Sequence, residues 1–123
     1  MDRDEFEKLV QEVFESLPAQ FHETMDNVHI IVEELPVTRS NARKGIRSGG
    51  LLLGLYEGIP LTKRGVGYGM YPVVPDRITL FRQNIQAVSR DDQELRATIR
   101  ETLIHEIGHY YGMSETEIRR AGY

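Results

Sequence analysis

The chain has 123 residues, a formal net charge of −4 and no cysteine, and hydrophobic residues make up 40% of it. A chain of this length is expected to form a single domain over residues 1–123 with one modest core. The acidic balance gives no general attraction to nucleic acid or to an anionic membrane. The lack of thiols excludes disulfides and thiolate zinc sites, so any metal must be held by His, Asp or Glu.

The N-terminal sequence MDRDEFEKLV argues against export. It is acidic and amphipathic, and it lacks the basic region followed by an apolar run that marks a secretory signal. The apolar stretches elsewhere are only a few residues long, which is too short to span a membrane. We therefore expect a cytoplasmic protein that does not act at a membrane.

The first predicted element is a helix near the N-terminus. Apolar residues from Phe6 to Leu17 recur with the spacing of one buried helix face. Asp2 suits the start of this helix, and Pro18 lies just past its end. Residues 28–32 (VHIIV) then form a β-branched run that predicts the first strand.

Strands and loops alternate in the middle of the chain. Residues 37–50 are polar, basic and end in two glycines, so they are predicted to form a loop. Residues 51–56 (LLLGLY) predict a second strand, with Gly54 at a possible bulge. The glycine-rich residues 57–75 predict a long loop, a feature typical of binding or lid elements. Residues 76–82 (DRITLFR) alternate in hydrophobicity and predict the third strand.

The last part of the chain is predicted to be helical. A long helix runs from about Asp91 to Tyr111, with Ser89 or Asp91 as its cap and Gly112 as the residue that ends it. Residues 114–117 (SETE) have the pattern of a capping box and predict a short final helix. The order of helix, strands, helix and helix predicts an α+β fold with a small sheet, mixed or largely antiparallel.

The long helix carries an H-E-x-x-H pattern from His105 to His109. Residues four apart lie on the same face of a helix, so both imidazoles can reach one zinc ion. Glu106 points to a neighbouring part of the helix surface, where it can reach a water on the ion without being a ligand. Zinc lowers the pKa of such a water toward about 7, and Glu106 would act as the base that accepts its proton. The alternative is a pair of surface or capped core histidines.

A catalytic zinc ion needs a third protein ligand and one open position. The other two histidines are remote in sequence, and Glu115 is the better candidate. It follows Gly112 by three residues, and a glycine lets the chain turn back once the helix ends. The alternative reading of Glu115 is a solvated acid in the first turn of a helix, where the helix dipole favours a carboxylate. Asp76 and Glu117 are weaker candidates for the third ligand.

Residues 105–115 (HEIGHYYGMSE) resemble the motif H-E-x-x-H-x-x-G-x-x-[DE] of minimal bacterial zincin-like metallopeptidases. The segments NVHIIVEELP, LLLGLYEGIPL, PDRITLFR and GMSETEI are also similar to that family's blocks, in the same order, from about Phe6 onward. The resemblance implies a cut-down zincin fold, in which a short sheet packs on the motif helix, and Zn²⁺ as cofactor. It also implies zinc ligands at His105, His109 and Glu115 and a catalytic base at Glu106.

Two functions of different classes follow from this pattern. The first is a zinc-dependent metallopeptidase that acts on a peptide or protein substrate. The second is a binding or regulatory module that keeps the zincin frame and a zinc site without turnover. A purely structural zinc site has no use for a non-ligating glutamate such as Glu106, which favours the enzyme.

Zincins commonly bind a peptide as an added strand at a sheet edge, and either residues 51–56 or residues 78–82 could form that edge.

Four basic residues cluster in the predicted loop after the first strand: Arg39, Arg43, Lys44 and Arg47. Such a cluster could contact phosphates or an acidic partner. In an acidic chain without interleaved aromatic residues, however, a solvated loop is favoured. We therefore expect no nucleic-acid partner.

Overall fold

The computed structural model describes residues 1–23, 25, 28–36, 45–60 and 76–123. A 3₁₀ turn at Ala19–Phe21 follows the first helix. The helices and strands in chain order are α1 (Arg3–Ser16), β1 (Val28–Glu33), β2 (Arg47–Ser48), β3 (Leu51–Leu52), β4 (Gly54–Glu57), β5 (Asp76–Phe81), α2 (Arg82–Ala87), α3 (Asp92–Tyr110) and α4 (Glu115–Arg120). The fold is α+β with a small mixed sheet, as the sequence predicted.

Helix α1 confirms the predicted N-terminal helix. Its cap is Asp2, whose side chain accepts a hydrogen bond of 2.9 Å from the backbone N–H of Glu5. The predicted apolar face is buried at Phe6, Leu9, Val10 and Val13, and it packs against α3. No helix among the described residues combines the length and the apolar character needed to cross a membrane.

The described strands form a three-stranded sheet in the order β1-β5-β4 and a two-stranded sheet of β2 and β3. In the larger sheet β1 runs parallel to β5, with Val28 opposite Asp76, and β4 runs antiparallel to β5, with Gly54 opposite Leu80. Strand β5 has a partner on each side. The prediction that residues 78–82 form the edge for a bound peptide is therefore wrong. Among the described strands, β4 lies at the edge of this sheet.

The prediction of one strand over residues 51–56 is wrong, because the chain changes sheets at Leu53. Strand β3 pairs with β2 across the Gly49–Gly50 turn, and β4 pairs with β5. Between them, the Leu53 N–H donates to the carbonyl of Ile46 at 2.8 Å, and the Leu53 carbonyl accepts from the N–H of Phe81 at 2.9 Å. These bonds to two different segments divide the apolar run between two sheets. Residues 47–48, which were predicted as loop, form a strand because they pair with β3.

Two predicted features lie largely outside the described residues. Residues 37–44 hold most of the predicted basic cluster, and residues 61–75 hold most of the predicted long loop. Of the four basic residues only Arg47 is described; it is exposed on β2, and its guanidinium donates to the carbonyl of Gly50 at 3.2 Å.

Gly54 is paired in register in β4 and is not at a bulge, so that part of the prediction is wrong. It lies where β4 packs against α3. A Cβ atom at this position would overlap the Cγ2 methyl of Thr102 on α3 and would come within 3.2 Å of the carbonyl oxygen of Thr79. The glycine thus lets the edge strand pack directly on the motif helix.

Helix α2 was not predicted, and it begins directly after β5. Its cap residue is Phe81, which makes no side-chain capping bond, so the sequence carries no start signal there. Arg82, predicted as strand, is the first residue of this helix. The buried side chain of Asn84 donates to the carbonyl of Leu52 at 2.8 Å and so ties α2 to β3.

Helix α3 is the predicted long helix, capped by Asp91 rather than Ser89. The Asp91 carboxylate accepts a bond of 2.8 Å from the N–H of Glu94. In its second half every residue from Thr102 to Gly108 is buried, because β4, β5, α1 and α4 pack around it. The motif residues therefore sit inside the protein rather than on a surface helix.

The end of α3 reverses the chain as predicted. Gly112 has φ of 87°, a left-handed conformation that favours glycine. The N–H of Met113 donates to the carbonyl of Gly108, and the N–H of Gly112 donates to that of His109, both at 2.9 Å. These two bonds form a Schellman motif. Helix α4 then starts at the predicted capping box of Ser114 and Glu117.

Gly54→Ala tests the close contact between β4 and α3. We expect the added methyl to destabilise the protein by about 1–3 kcal/mol, because it overlaps the Thr102 methyl in a packed interior. Thr102→Ser removes that methyl and keeps the hydroxyl that donates to Thr98. Urea unfolding of both single variants and the double variant measures the coupling. Additive losses would contradict the steric explanation.

Candidate metal centre

The three predicted metal ligands lie together at the C-terminal end of α3. The Glu115 carboxylate contacts both imidazoles: Nδ1 of His105 lies 2.8 Å from its Oε2, and Nε2 of His109 lies 2.9 Å from its Oε1. The two histidines are one turn apart on α3, and the Schellman turn brings the first residue of α4 back to them. The predicted reversal at Gly112 therefore has the geometric effect that the sequence suggested.

The other candidates for a third ligand are engaged elsewhere. Asp76 is buried at the start of β5, where its carboxylate accepts from the hydroxyl of Tyr56 at 2.6 Å and from the N–H of Ile59 at 3.3 Å. Glu117 closes the capping box of α4. Nε2 of His22 lies 3.0 Å from the carbonyl of Leu17, in a contact far along the chain from the motif.

Each imidazole of the motif faces an oxygen acceptor on both sides. Nδ1 of His109 lies 2.9 Å from the carbonyl of Met113, and Nε2 of His105 lies 3.4 Å from the carbonyl of Tyr123. A carbonyl and an ionised carboxylate only accept hydrogen bonds, whereas a neutral imidazole carries a single N–H. Two neutral rings therefore supply only two N–H groups to these acceptors. In the tautomer that places both N–H groups on the carbonyls, the remaining nitrogens direct lone pairs at the carboxylate of Glu115.

This donor set fits a cation. Two imidazole nitrogens and one carboxylate are ligands that catalytic zinc sites use, and a positive charge between them resolves the opposed lone pairs. A ring N–H bonded to a backbone carbonyl is also the usual support of a zinc-bound histidine. Within the described part of the chain, however, no three acidic or histidine side chains already enclose a common point. The three groups are instead joined pairwise through the Glu115 carboxylate.

Glu106 is fully buried beside this cluster. Its Oε2 accepts a hydrogen bond of 3.1 Å from the N–H of Ile46, and its Oε1 has no hydrogen-bond partner among the described residues. Burial raises the pKa of Glu106 to about 7, although the charge of His109 and the nearby N–H groups of Ile46 and Tyr56 lower it. A carboxyl group with this pKa can accept and release a proton near neutral pH.

A cleft of about 850 Å³ opens beside the cluster. Its walls include Tyr56, Ile59, Glu106, His109 and Glu115. The side chains of His109 and Glu115 are 25% and 38% exposed, whereas that of His105 is only 3% exposed. The cluster is therefore accessible to solvent from the side of β4 and α4, and His105 lies on its buried side.

Three groups around the cluster were missed in the sequence: the N–H of Ile46 and the carbonyls of Met113 and Tyr123. All three act through the backbone, which every residue type shares, so no residue pattern marks them. Their positions follow only from the way the chain segments pack. Met113 has the best sequence signal, since the residue after a C′ glycine is fixed by the Schellman turn.

Residues 25–123 match the model of the zincin-like metallopeptidases, and the chain belongs to this family. A conserved hypothetical protein from Thermus thermophilus has a similar fold, with a TM-score of 0.57 and 22% sequence identity over 98% of each chain. This second likeness bears on the fold alone. A comparison with curated proteins found no match.

Glu106→Gln tests the cost of burying this carboxyl group. The folded state favours the neutral form of Glu106 over the ionised form. The stability that the wild type has with this carboxyl group neutral is therefore fully present below pH 4.5, and it is lost as the pH rises through about 7. Between pH 4 and pH 8 this loss amounts to about 3 kcal/mol. The variant, unfolded in urea with a chelator present, should therefore gain that much relative to the wild type at pH 8. A difference that is independent of pH would contradict the raised pKa.

Proposed function

We propose that this protein is a zinc-dependent metallopeptidase. The observation that carries the proposal is the Glu115 carboxylate between two imidazoles whose outer nitrogens face backbone carbonyls. Membership of the zincin-like metallopeptidase family supports the reaction class. The cleft beside the cluster supports access by a substrate larger than water.

In this proposal His105, His109 and Glu115 hold the zinc ion. When bound, the ion would polarise a substrate carbonyl and lower the pKa of a water molecule. The carbonyls of Met113 and Tyr123 hold the outer N–H groups of the two imidazoles, which fixes the tautomer and the orientation of each ring. The carboxylate of Glu115 supplies the negative charge of the ligand set.

Glu106 acts as the proton carrier. As the water oxygen bonds to the carbonyl carbon, Oε1 of Glu106 accepts a proton from that water. The same proton then passes to the amide nitrogen while the carbon–nitrogen bond breaks, so the products are a carboxylic acid and an amine. The bond from the Ile46 N–H holds Oε2 in place, which leaves Oε1 as the acceptor.

The substrate in this proposal is a peptide or an extended segment of a protein. Strand β4 is an edge strand, and its residues Tyr56 and Glu57 border the cleft. A peptide that adds to this edge through main-chain hydrogen bonds would pass beside Glu106 and His109. Of the candidate edge at residues 51–56, only the part in β4, from Gly54 onward, is proposed to bind the peptide.

A second function, a zinc-binding module without turnover, is favoured by one observation. Glu106 is fully shielded from solvent. A residue that exchanges protons with water is expected to be in contact with it. Under this alternative the glutamate only fills space beside the ligands. The two functions differ in what a change at Glu106 does.

Zinc binding is the first test of the proposed site. Protein purified without an affinity tag should contain about one zinc ion per chain, and His105→Ala, His109→Ala and Glu115→Gln should each lose most of it. Glu117→Gln is the matched control on α4, because glutamine also serves in a capping box. Elemental analysis and competition with a zinc-chelating dye measure the outcome. Zinc retained at wild-type affinity by Glu115→Gln would exclude this residue as a ligand.

Glu106→Gln tests catalysis separately from binding. The variant should bind zinc as the wild type does and lose peptide hydrolysis by at least about 100-fold, because it removes the general base. Glu101→Gln makes the same chemical change at an exposed position five residues earlier on α3 and should keep full activity. The assay is a peptide library read by mass spectrometry. A zinc-loaded wild type that cleaves no peptide would favour the binding module.

A further inference from the structure

The last segment of the chain, residues 113–123, carries most of what surrounds the two imidazoles. It provides the Glu115 carboxylate, the Met113 carbonyl that contacts His109, and the Tyr123 carbonyl that contacts His105. These three groups span almost the whole segment. A shift of the segment as a unit would therefore move all of them relative to the rings.

The position of helix α4 depends on its contacts with the rest of the protein. It has six residues, and a helix this short is not stable in water without tertiary contacts. Ile118 is its buried residue, with 2% of its surface exposed. The docking of α4 on α3 therefore depends strongly on where this one side chain packs.

Ile118 packs on Gly108, the fourth residue of the H-E-x-x-H pattern. A Cβ atom at Gly108 would lie 2.6 Å from Cδ1 and 2.7 Å from Cγ1 of Ile118. Contacts below 3 Å are not tolerated between carbon atoms, so a side chain at residue 108 would require the Ile118 side chain, and α4 with it where the side chain cannot repack, to shift. The absence of a side chain at this position permits the close approach of the two helices.

We infer that Gly108 and Ile118 are positioning residues for the zinc site, because their contact sets the distance between the Glu115 carboxylate and the two imidazoles. The inference rests on the proposed function, in that it takes Glu115 as a zinc ligand. Docking of residues 113–123 and zinc binding are then coupled, and each strengthens the other.

Gly108→Ala is the direct test. Alanine is the better helix former, so helix propensity alone predicts no loss. We expect the variant to fold and to bind zinc about 10–100-fold more weakly, the range found when groups that orient metal ligands are changed. Competition with a zinc-chelating dye gives the affinity. Circular dichroism during thermal unfolding reports whether the variant is folded.

The rescue variant combines Gly108→Ala with Ile118→Ala. The second change removes the two atoms that the new methyl would overlap, so zinc affinity should recover to the level of Ile118→Ala alone. Ile85→Ala is the matched control, because Ile85 is equally buried but lies on α2. It should lower stability and leave zinc affinity unchanged.

Hydrogen exchange provides a readout that does not depend on affinity. Adding zinc to the wild-type protein should slow exchange of the backbone amides in residues 115–123, because the ion holds the segment on α3. The same addition should slow these amides in Ile85→Ala as well. In Gly108→Ala the protection should be smaller at the same zinc occupancy.

The outcomes separate this inference from the proposed function. Wild-type protein that binds no zinc would overturn the metal site and this inference with it. Zinc binding by the wild type together with unchanged affinity in Gly108→Ala would overturn only the positioning role. A double variant no better than Gly108→Ala, or zinc protection absent from residues 115–123, would overturn that role as well.

Discussion

The burial of a polar stretch in the second half of α3 is the constraint on which the rest of the structure depends. His105 and Glu106 lie among apolar neighbours, and buried polar groups are stable only when they are paired. Their partners come from both sides of α3 in the sequence: the Ile46 N–H before the helix, and the Glu115 carboxylate and Tyr123 carbonyl after it. The site therefore forms where two segments, one before α3 and one after it, supply hydrogen-bonding partners to the buried polar residues of this helix.

Two glycines allow these parts to come close enough. Gly54 brings the edge strand onto one side of α3, and Gly108 brings α4 onto another. The first contact packs β4 against Glu106, and the burial of this carboxyl group raises its pKa toward neutrality. The second places a carboxylate against both imidazoles. The pKa of Glu106 and the position of Glu115 therefore depend on separate packing contacts of α3.

The sequence was sufficient for the features that local side-chain patterns encode. The capped helices, the Schellman turn at Gly112 and strands β1 and β5 were predicted, and the turn after the motif led to Glu115 as the neighbour of His105 and His109. What failed depends on distant segments. The split at Leu53 comes from bonds to Ile46 and Phe81, and α2 starts without a side-chain cap. The backbone carbonyls that contact the imidazoles could not be predicted, because every residue type has a backbone carbonyl.

The contacts of the site differ greatly in how much chain they enclose. Glu115 is ten residues from His105 and six from His109, whereas the bond from Ile46 to Glu106 spans 60 residues. Closing a loop loses more entropy as the loop lengthens, and local contacts form sooner during folding. We therefore expect the ligand cluster to assemble early and the shielding of Glu106 to come late. Under the proposed function, a folding chain would then bring its three zinc ligands together before it buries the base, Glu106, and hydrolysis would start only when the fold is complete.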